Sequence, residues 1–147
     1  MPIQFPVGPG TILLCDYTMG GFRPPEMVKR RPAVVISPRL AHRDGLCAVV
    51  PLSGSEPDRP LAYVVRLALQ EPLPDPFVQS VWWAKCDHVA TVGFARLDLF
   101  RTVRDPSGRR RYLHPKLPPD QMREVRAAVL HGLGMGNLAA HLGAGQP

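Results

Sequence analysis

Eighteen prolines and thirteen glycines punctuate a chain of 147 residues. Proline has no backbone N–H to donate and restricts the residue before it, while glycine favours turns. Punctuation this dense excludes long helices and leaves short elements joined by turns. The apolar runs agree with that reading. Residues 11–17, 32–37, 46–52, 61–67, 80–86 and 88–94 are each short, apolar and bounded by turn formers, and each reads as a strand. Asp105-Pro106-Ser107-Gly108 reads as the turn of a hairpin joining 99–103 to 109–113. Only the end of the chain has helical spacing. Met122, Val125, Val129 and Leu133 fall on one face, and Pro119-Asp120 suits a first helical turn. Gly132, Gly134 and Gly136 predict its end, before a short second turn at 138–142 and a frayed tail. There is no βαβ alternation and no GxGxxG or GxxxxGK[ST] run, which argues against a parallel nucleotide-binding sheet. The expectation is a mainly β chain, a small barrel or sandwich with a C-terminal α-helix.

Charge is distributed unevenly. Residues 1–100 carry 10 Lys and Arg against 9 Asp and Glu, whereas residues 101–147 carry 8 against 3. A basic region of this kind attracts phosphates, acidic proteins or membrane headgroups, or is simply a solvated face. Cys15, Cys47 and Cys86 lie in apolar stretches without CxxC spacing. Such residues read as free thiols of a reducing cytosol rather than as a disulfide framework or a zinc site, and no metal or other cofactor is expected. The first residues lack the basic and apolar regions of a secretory signal, and no apolar run reaches bilayer length. A cytoplasmic protein with no membrane partner is the resulting expectation.

Lys29-Arg30-Arg31-Pro32 places three cations just before an apolar strand, and Pro32 biases Arg31 toward an extended backbone. An arginine at a barrel mouth can present its planar fork to a phosphate, and the same cluster can equally be a solubilising strand edge. The residues around it carry more information. Arg31-Pro32-Ala33-Val34-Val35-Ile36-Ser37 resembles the RPAVV(I/L)S segment of MazF/PemK toxins. Gly10-Thr11-Ile12-Leu13-Leu14-Cys15-Asp16-Tyr17 is similar to that family's opening strand, and Val49-Val50-Pro51-Leu52-Ser53 to its V-x-P-[LC]-[TS] strand end. The three segments occur in the family's order and spacing over residues 8–54, with weaker similarity to about residue 100.

The resemblance implies an SH3-like small barrel of the MazF/PemK/CcdB kind that forms a homodimer. Residues 1–147 are expected to form one such toxin domain, with 101–147 as a basic hairpin and C-terminal helix appended. It implies a type II toxin, an endoribonuclease that cuts single-stranded RNA without a metal, leaving 2′,3′-cyclic phosphate and 5′-OH ends. Arg31 and Ser53 match its catalytic positions, and Glu26 matches an acidic position that takes the 2′-OH proton or orients Arg31. Arg23, Lys29, Arg30 and Arg39 are the expected RNA-binding cations. The expected protein partner is a cognate antitoxin with an acidic, disordered segment. Two alternatives share the fold: a toxin that binds and poisons DNA gyrase, and an inactive RNA- or DNA-binding barrel. Trp82 and Trp83 must point to opposite faces of a strand. Core packing is the reading given to both, with base stacking or a partner groove as the alternative for one. Arg109-Arg110-Arg111 is read as a solvated strand of an edge hairpin, with RNA or antitoxin contact as its alternative.

Overall fold

The computed structural model describes residues 1–142. In chain order its strands are β1 (Ile12–Asp16), β2 (Arg30–Val35), β3 (Leu46–Ser53), β4 (Val64–Ala68), β5 (Val81–Lys85), β6 (Ala90–Gly93), β7 (Leu97–Asp98), β8 (Phe100–Arg101) and β9 (Tyr112–Leu113). A helix, α1 (Pro119–Gly132), and a short helical turn, Gly136–His141, follow.

The larger sheet is antiparallel. β1 pairs with β2 on one side and β7 on the other, and β2 pairs with β3. β3 then serves two partners on its far edge. Its first half, Leu46 to Val49, pairs with β6, while Leu52 and Ser53 pair with β5. Because β6 runs through the turn Phe94–Arg96 directly into β7, the circuit β7-β1-β2-β3-β6 closes on itself as a small barrel. β5 and β4 form a ribbon extending from the part of β3 that has left the circuit.

Strand alternation sorts the apolar residues into two cores. Leu13, Cys15, Ala33, Val35 and Val49 face the barrel interior with Ile3, Tyr17, Val92 and Leu97. The alternate residues Ile12, Val34, Val50 and Leu52 face outward and are covered by Met122, Val125 and Ala128 of α1, together with Leu67, Trp82, Phe100 and Leu117. Full burial of a side chain such as Val125 contributes roughly 1.5–3 kcal/mol. The segment after residue 100 therefore supplies one wall of the second core. α1 also comes close to the β5–β6 turn. A Cβ on Gly132 would sit 3.1 Å from the Asp87 Cα and 3.2 Å from the Cys86 carbonyl oxygen.

The expected mainly β barrel with a C-terminal helix is what forms, with local differences. β2 starts at Arg30, because Asp16 and Cys15 of β1 pair with Arg30 and Arg31. β4 starts at Val64, since residues 61–64 form a turn in which Val64 N donates to Leu61 O at 3.1 Å. The predicted 99–103/109–113 hairpin has a paired stem of only two residues per strand, Phe100↔Leu113 and Arg101↔Tyr112. Its turn is fastened by Asp105 Oδ1, which accepts from Ser107 N, Ser107 Oγ and Arg109 N. Arg109, Arg110 and Arg111 are exposed. Leu133 is not on the packed helix face: it is 62% exposed, because α1 stops at Gly132 and the chain turns away through Gly134 at φ 75°. The predicted final turn is present at Gly136–His141, and the expected frayed tail lies outside the described residues. No helix among the described residues is long and apolar enough to cross a membrane.

Candidate active site

β2 carries Arg31 and β3 carries Ser53. The ladder between them pairs Val35 with Val49, Val34 with Val50 and Ala33 with Pro51, and ends there. Arg31 and Ser53 each lie two residues further along, where Arg31 pairs with Cys15 of β1 and Ser53 with Trp83 of β5. Strand alternation puts both on the face shared by Ala33 and Val35.

Arg31 is half-buried, and its Nε is buried with no hydrogen-bond partner among the described residues. Its guanidinium also lies within electrostatic reach of Tyr17, whose hydroxyl is buried beside Cys15. Burial pushes the Tyr17 pKa far up, an effect the Arg31 charge opposes, so the phenol stays neutral. Ser53 is half-buried, and its Oγ accepts from Ser55 N at 3.2 Å. That bond uses a lone pair and leaves the O–H free to donate. The hydroxyl is consequently aimed by its own turn.

The loop between β1 and β2 sits beside this pair. Asp16 opens it, accepting from the Thr18 amide at 2.9 Å and from the Thr18 hydroxyl. The Thr18 hydroxyl is the main cause holding the Asp16 carboxyl below its usual range. Arg96 then holds the loop from the far side of β1. Its Nη1 donates to Asp16 O at 3.2 Å and Met19 O at 3.0 Å, its Nη2 donates to Gly20 O at 2.7 Å, and its guanidinium lies 4.6 Å from the Phe22 ring centroid. Phe22 packs edge-on against Tyr17. A cavity of about 250 Å³ lies under the loop, lined by Tyr17, Phe22, Glu26, Met27 and the turn Asp87-His88-Val89, with neither Arg31 nor Ser53 in its lining.

The remaining residues expected at the site are distributed differently. Glu26 was expected within reach of Arg31, but its carboxylate closes a turn of its own loop: Arg23 N donates to Glu26 Oε2 at 2.6 Å while Glu26 N donates to Arg23 O at 2.8 Å. It lines the cavity and does not hydrogen-bond Arg31. Lys29 and Arg23 are exposed on the loop. Arg30 alternates to the opposite face from Arg31 and pairs with Asp98 at 3.4 Å, a contact across β1 rather than a part of the site. Arg39 follows the far end of β2 and lines a separate cleft with Pro38, Arg43 and Phe94. An extended strand necessarily carries residues 31 and 39 to opposite ends of the barrel.

The structure adds residues that the sequence reading missed. Ser53 is paired with Trp83 of β5, and Trp83 with Arg66 of β4. Trp82 does what was expected of both tryptophans: it is 4% exposed in the second core, with Nε1 donating to Gln79 O. Trp83 instead is half-buried on the Arg31–Ser53 face. The alternation of the pair was legible, but which one turned inward depended on the register with β3. Arg96, some 65 residues from Arg31 in sequence, carried no signal at all. Among the described residues, no group of three or more His, Cys, Asp or Glu is placed to hold a metal ion.

Comparison with known proteins fits this geometry. The fold superposes on an endoribonuclease from a mycobacterial species in complex with its cognate antitoxin, with a TM-score of 0.58 at 17% identity over 88% of this chain and 97% of that one. It is also similar to MazF from Deinococcus radiodurans, with a TM-score of 0.56 at 24% identity over 89% of this chain and 98% of that one. No match to the sequence was found among curated proteins. A sequence profile for the PemK-like, MazF-like toxins of type II toxin–antitoxin systems matches residues 9–133, a span that includes the strands carrying Arg31, Ser53 and Trp83 and the whole of α1, and the chain belongs to that family.

Proposed function

We propose that this toxin is an endoribonuclease that cleaves single-stranded RNA at the Arg31–Ser53 pair, using the substrate's own 2′-OH as nucleophile. Supporting the reading, Arg31 and Ser53 lie on one face of adjacent paired strands, and the Arg31 Nε is buried with no hydrogen-bond partner among the described residues. Attack of the 2′-oxygen on the adjacent phosphorus places extra negative charge on the phosphate oxygens. Arg31 is suited to that charge, since its donors are fixed, permanently cationic and partly withdrawn from water. Ser53 donates a second hydrogen bond to the same phosphate. It does not act as the nucleophile, because the contact made by its Oγ is with the Ser55 amide and no general base stands beside it. Departure of the 5′-oxygen, which takes its proton from water, leaves a 2′,3′-cyclic phosphate and a 5′-OH. Glu26 keeps one carboxylate oxygen on Arg23 N, and the second is available to take the 2′-OH proton from a ribose at the cavity mouth. The partner that restrains the toxin is an antitoxin whose acidic segment competes with RNA for these cations, and the working form is a homodimer in the cytoplasm.

The test is incubation of the purified protein with single-stranded RNA in EDTA, beside Arg31→Ala and Ser53→Ala. Cleavage to cyclic-phosphate ends by the wild type, and a loss of about 100-fold or more in each variant, is expected for removal of a donor to the developing charge. Intact RNA combined with inhibited DNA supercoiling by gyrase would overturn the reading in favour of a binding toxin.

A further inference from the structure

We infer that Trp83 is a nucleobase-stacking platform, which receives a base flanking the scissile phosphate. This inference rests on the nuclease reading above and adds a substrate subsite to it. The cross-strand register carries it. One row crosses three strands at the same level, Ser53 of β3, Trp83 of β5 and Arg66 of β4, and Arg31 of β2 lies on the same face two residues past the end of the β2–β3 pairing. All four lie on one face, because their neighbours Val34, Leu52, Trp82, Ala84 and Leu67 occupy the core on the other. The next row adds Lys85 to the same face, two residues along β5 from Trp83.

The face is open where the row lies. β6 pairs only with the first half of β3, so the barrel wall ends before Ser53, and the β5–β4 ribbon continues the surface outward. Trp83 is half-buried there, while its neighbour Trp82 is enclosed and hydrogen-bonded. The chemistry of the row alternates in the way a single strand requires. Guanidinium and hydroxyl at one end suit a phosphate, an aromatic ring on the next strand, directly across from the hydroxyl, suits the base attached to an adjoining ribose, and Arg66 and Lys85 beside it suit the next phosphate. Every base has a π-face, so a ring at this place adds affinity whatever the base. Two cations near the ring and no carboxylate in the row favour a polyanion over an apolar protein segment.

The test separates this subsite from the cleavage reaction. The probe is a single-stranded oligonucleotide with 2′-O-methyl groups throughout, which retains bases and phosphates and has no nucleophile. Its affinity is measured by the anisotropy of a dye on the oligonucleotide, and stacking is followed separately by tryptophan fluorescence, in the wild type, Trp83→Phe and Trp83→Ala. Quenching is expected in the wild type and should vanish in Trp83→Phe, because Trp82 is enclosed, while affinity in that variant stays within about threefold. Trp83→Ala should bind about 10-fold or more weakly, the loss of one stacked base. On cleavable RNA it should raise KM and leave kcat within a few-fold, a split that damage to the fold would not produce. Trp83→Phe provides the folded reference if Trp83→Ala unfolds. Quenching that persists in Trp83→Phe, or equal oligonucleotide affinity in all three proteins, would overturn the proposal, as would Trp83 changes that weaken only the binding of an acidic peptide. Binding and quenching without cleavage of the unmodified RNA would leave the platform standing and remove the nuclease reading.

Discussion

Replacing Arg96 by Met removes the fastening of the β1–β2 loop while keeping most of the aliphatic stem. The side chain makes three hydrogen bonds to backbone carbonyls, those of Asp16, Met19 and Gly20, and a cation–π contact with Phe22. A hydrogen bond to a charged group contributes about 1.5–3 kcal/mol when buried. Here the guanidinium is half-buried and two of the three bonds are exposed, so about 0.5–1 kcal/mol each is the reasonable figure. The cation–π contact adds about 0.5–1 kcal/mol. The expected loss is about 2–4 kcal/mol, or roughly 5–15 °C in Tm for a chain of this size. Thermal unfolding followed by circular dichroism measures it, and amide exchange should locate the loosening in residues 17–22. Arg96→Lys should recover only part, since a single ammonium cannot span carbonyls four residues apart as the planar fork does. A Tm within about 1 °C of the wild type for Arg96→Met, with unchanged exchange in the loop, would refute the claim that this guanidinium holds the loop.

Gly132→Ala should destabilise by about 1–2 kcal/mol, read by urea unfolding, because the new methyl meets the backbone of Asp87 and Cys86 rather than a movable side chain. Ser53→Thr should keep RNA cleavage within a few-fold of the wild type, while Ser53→Ala loses it, as a gel assay of product ends would reveal. The thiols make a pH prediction. Burial raises Cys15 and Cys47 to about 11 and Cys86 to about 12 from an ordinary value of 9.0. The fold therefore favours the protonated thiol, so this contribution is complete below pH 9 and is lost as pH rises through about 9 to 12. Urea midpoints should fall over that alkaline range, and alkylation by iodoacetamide at pH 8 should be slow until the protein is unfolded.

Much of the barrel could be read directly from the chain. The runs 11–17, 32–37 and 46–52 became β1, β2 and β3 because β-branched and apolar residues alternate between two buried faces there. Arg31 and Ser53 stood out through the motifs around them, and strand alternation puts both on one face of the sheet. Short-range patterning could not find β7, a two-residue strand whose pairing depends on β1 being already in place. Nor could it place Glu26, where a local turn satisfied the carboxylate that a longer-range contact was expected to use. Arg30 and Arg39 looked like neighbours of Arg31 in sequence, and strand geometry sent one to the other face and one to the other end. Leu133 continued a helical pattern past the glycine that ended the helix.

A single eight-residue strand, β3, belongs to the closed barrel at its start and to the outer ribbon at its end. Arg31 stands on the ring, while Ser53 sits where β3 has already passed into the two-stranded flap. On the nuclease reading proposed above, edits to β4 and β5 would reshape the surface a bound strand crosses while Arg31 keeps its place in the closed ring.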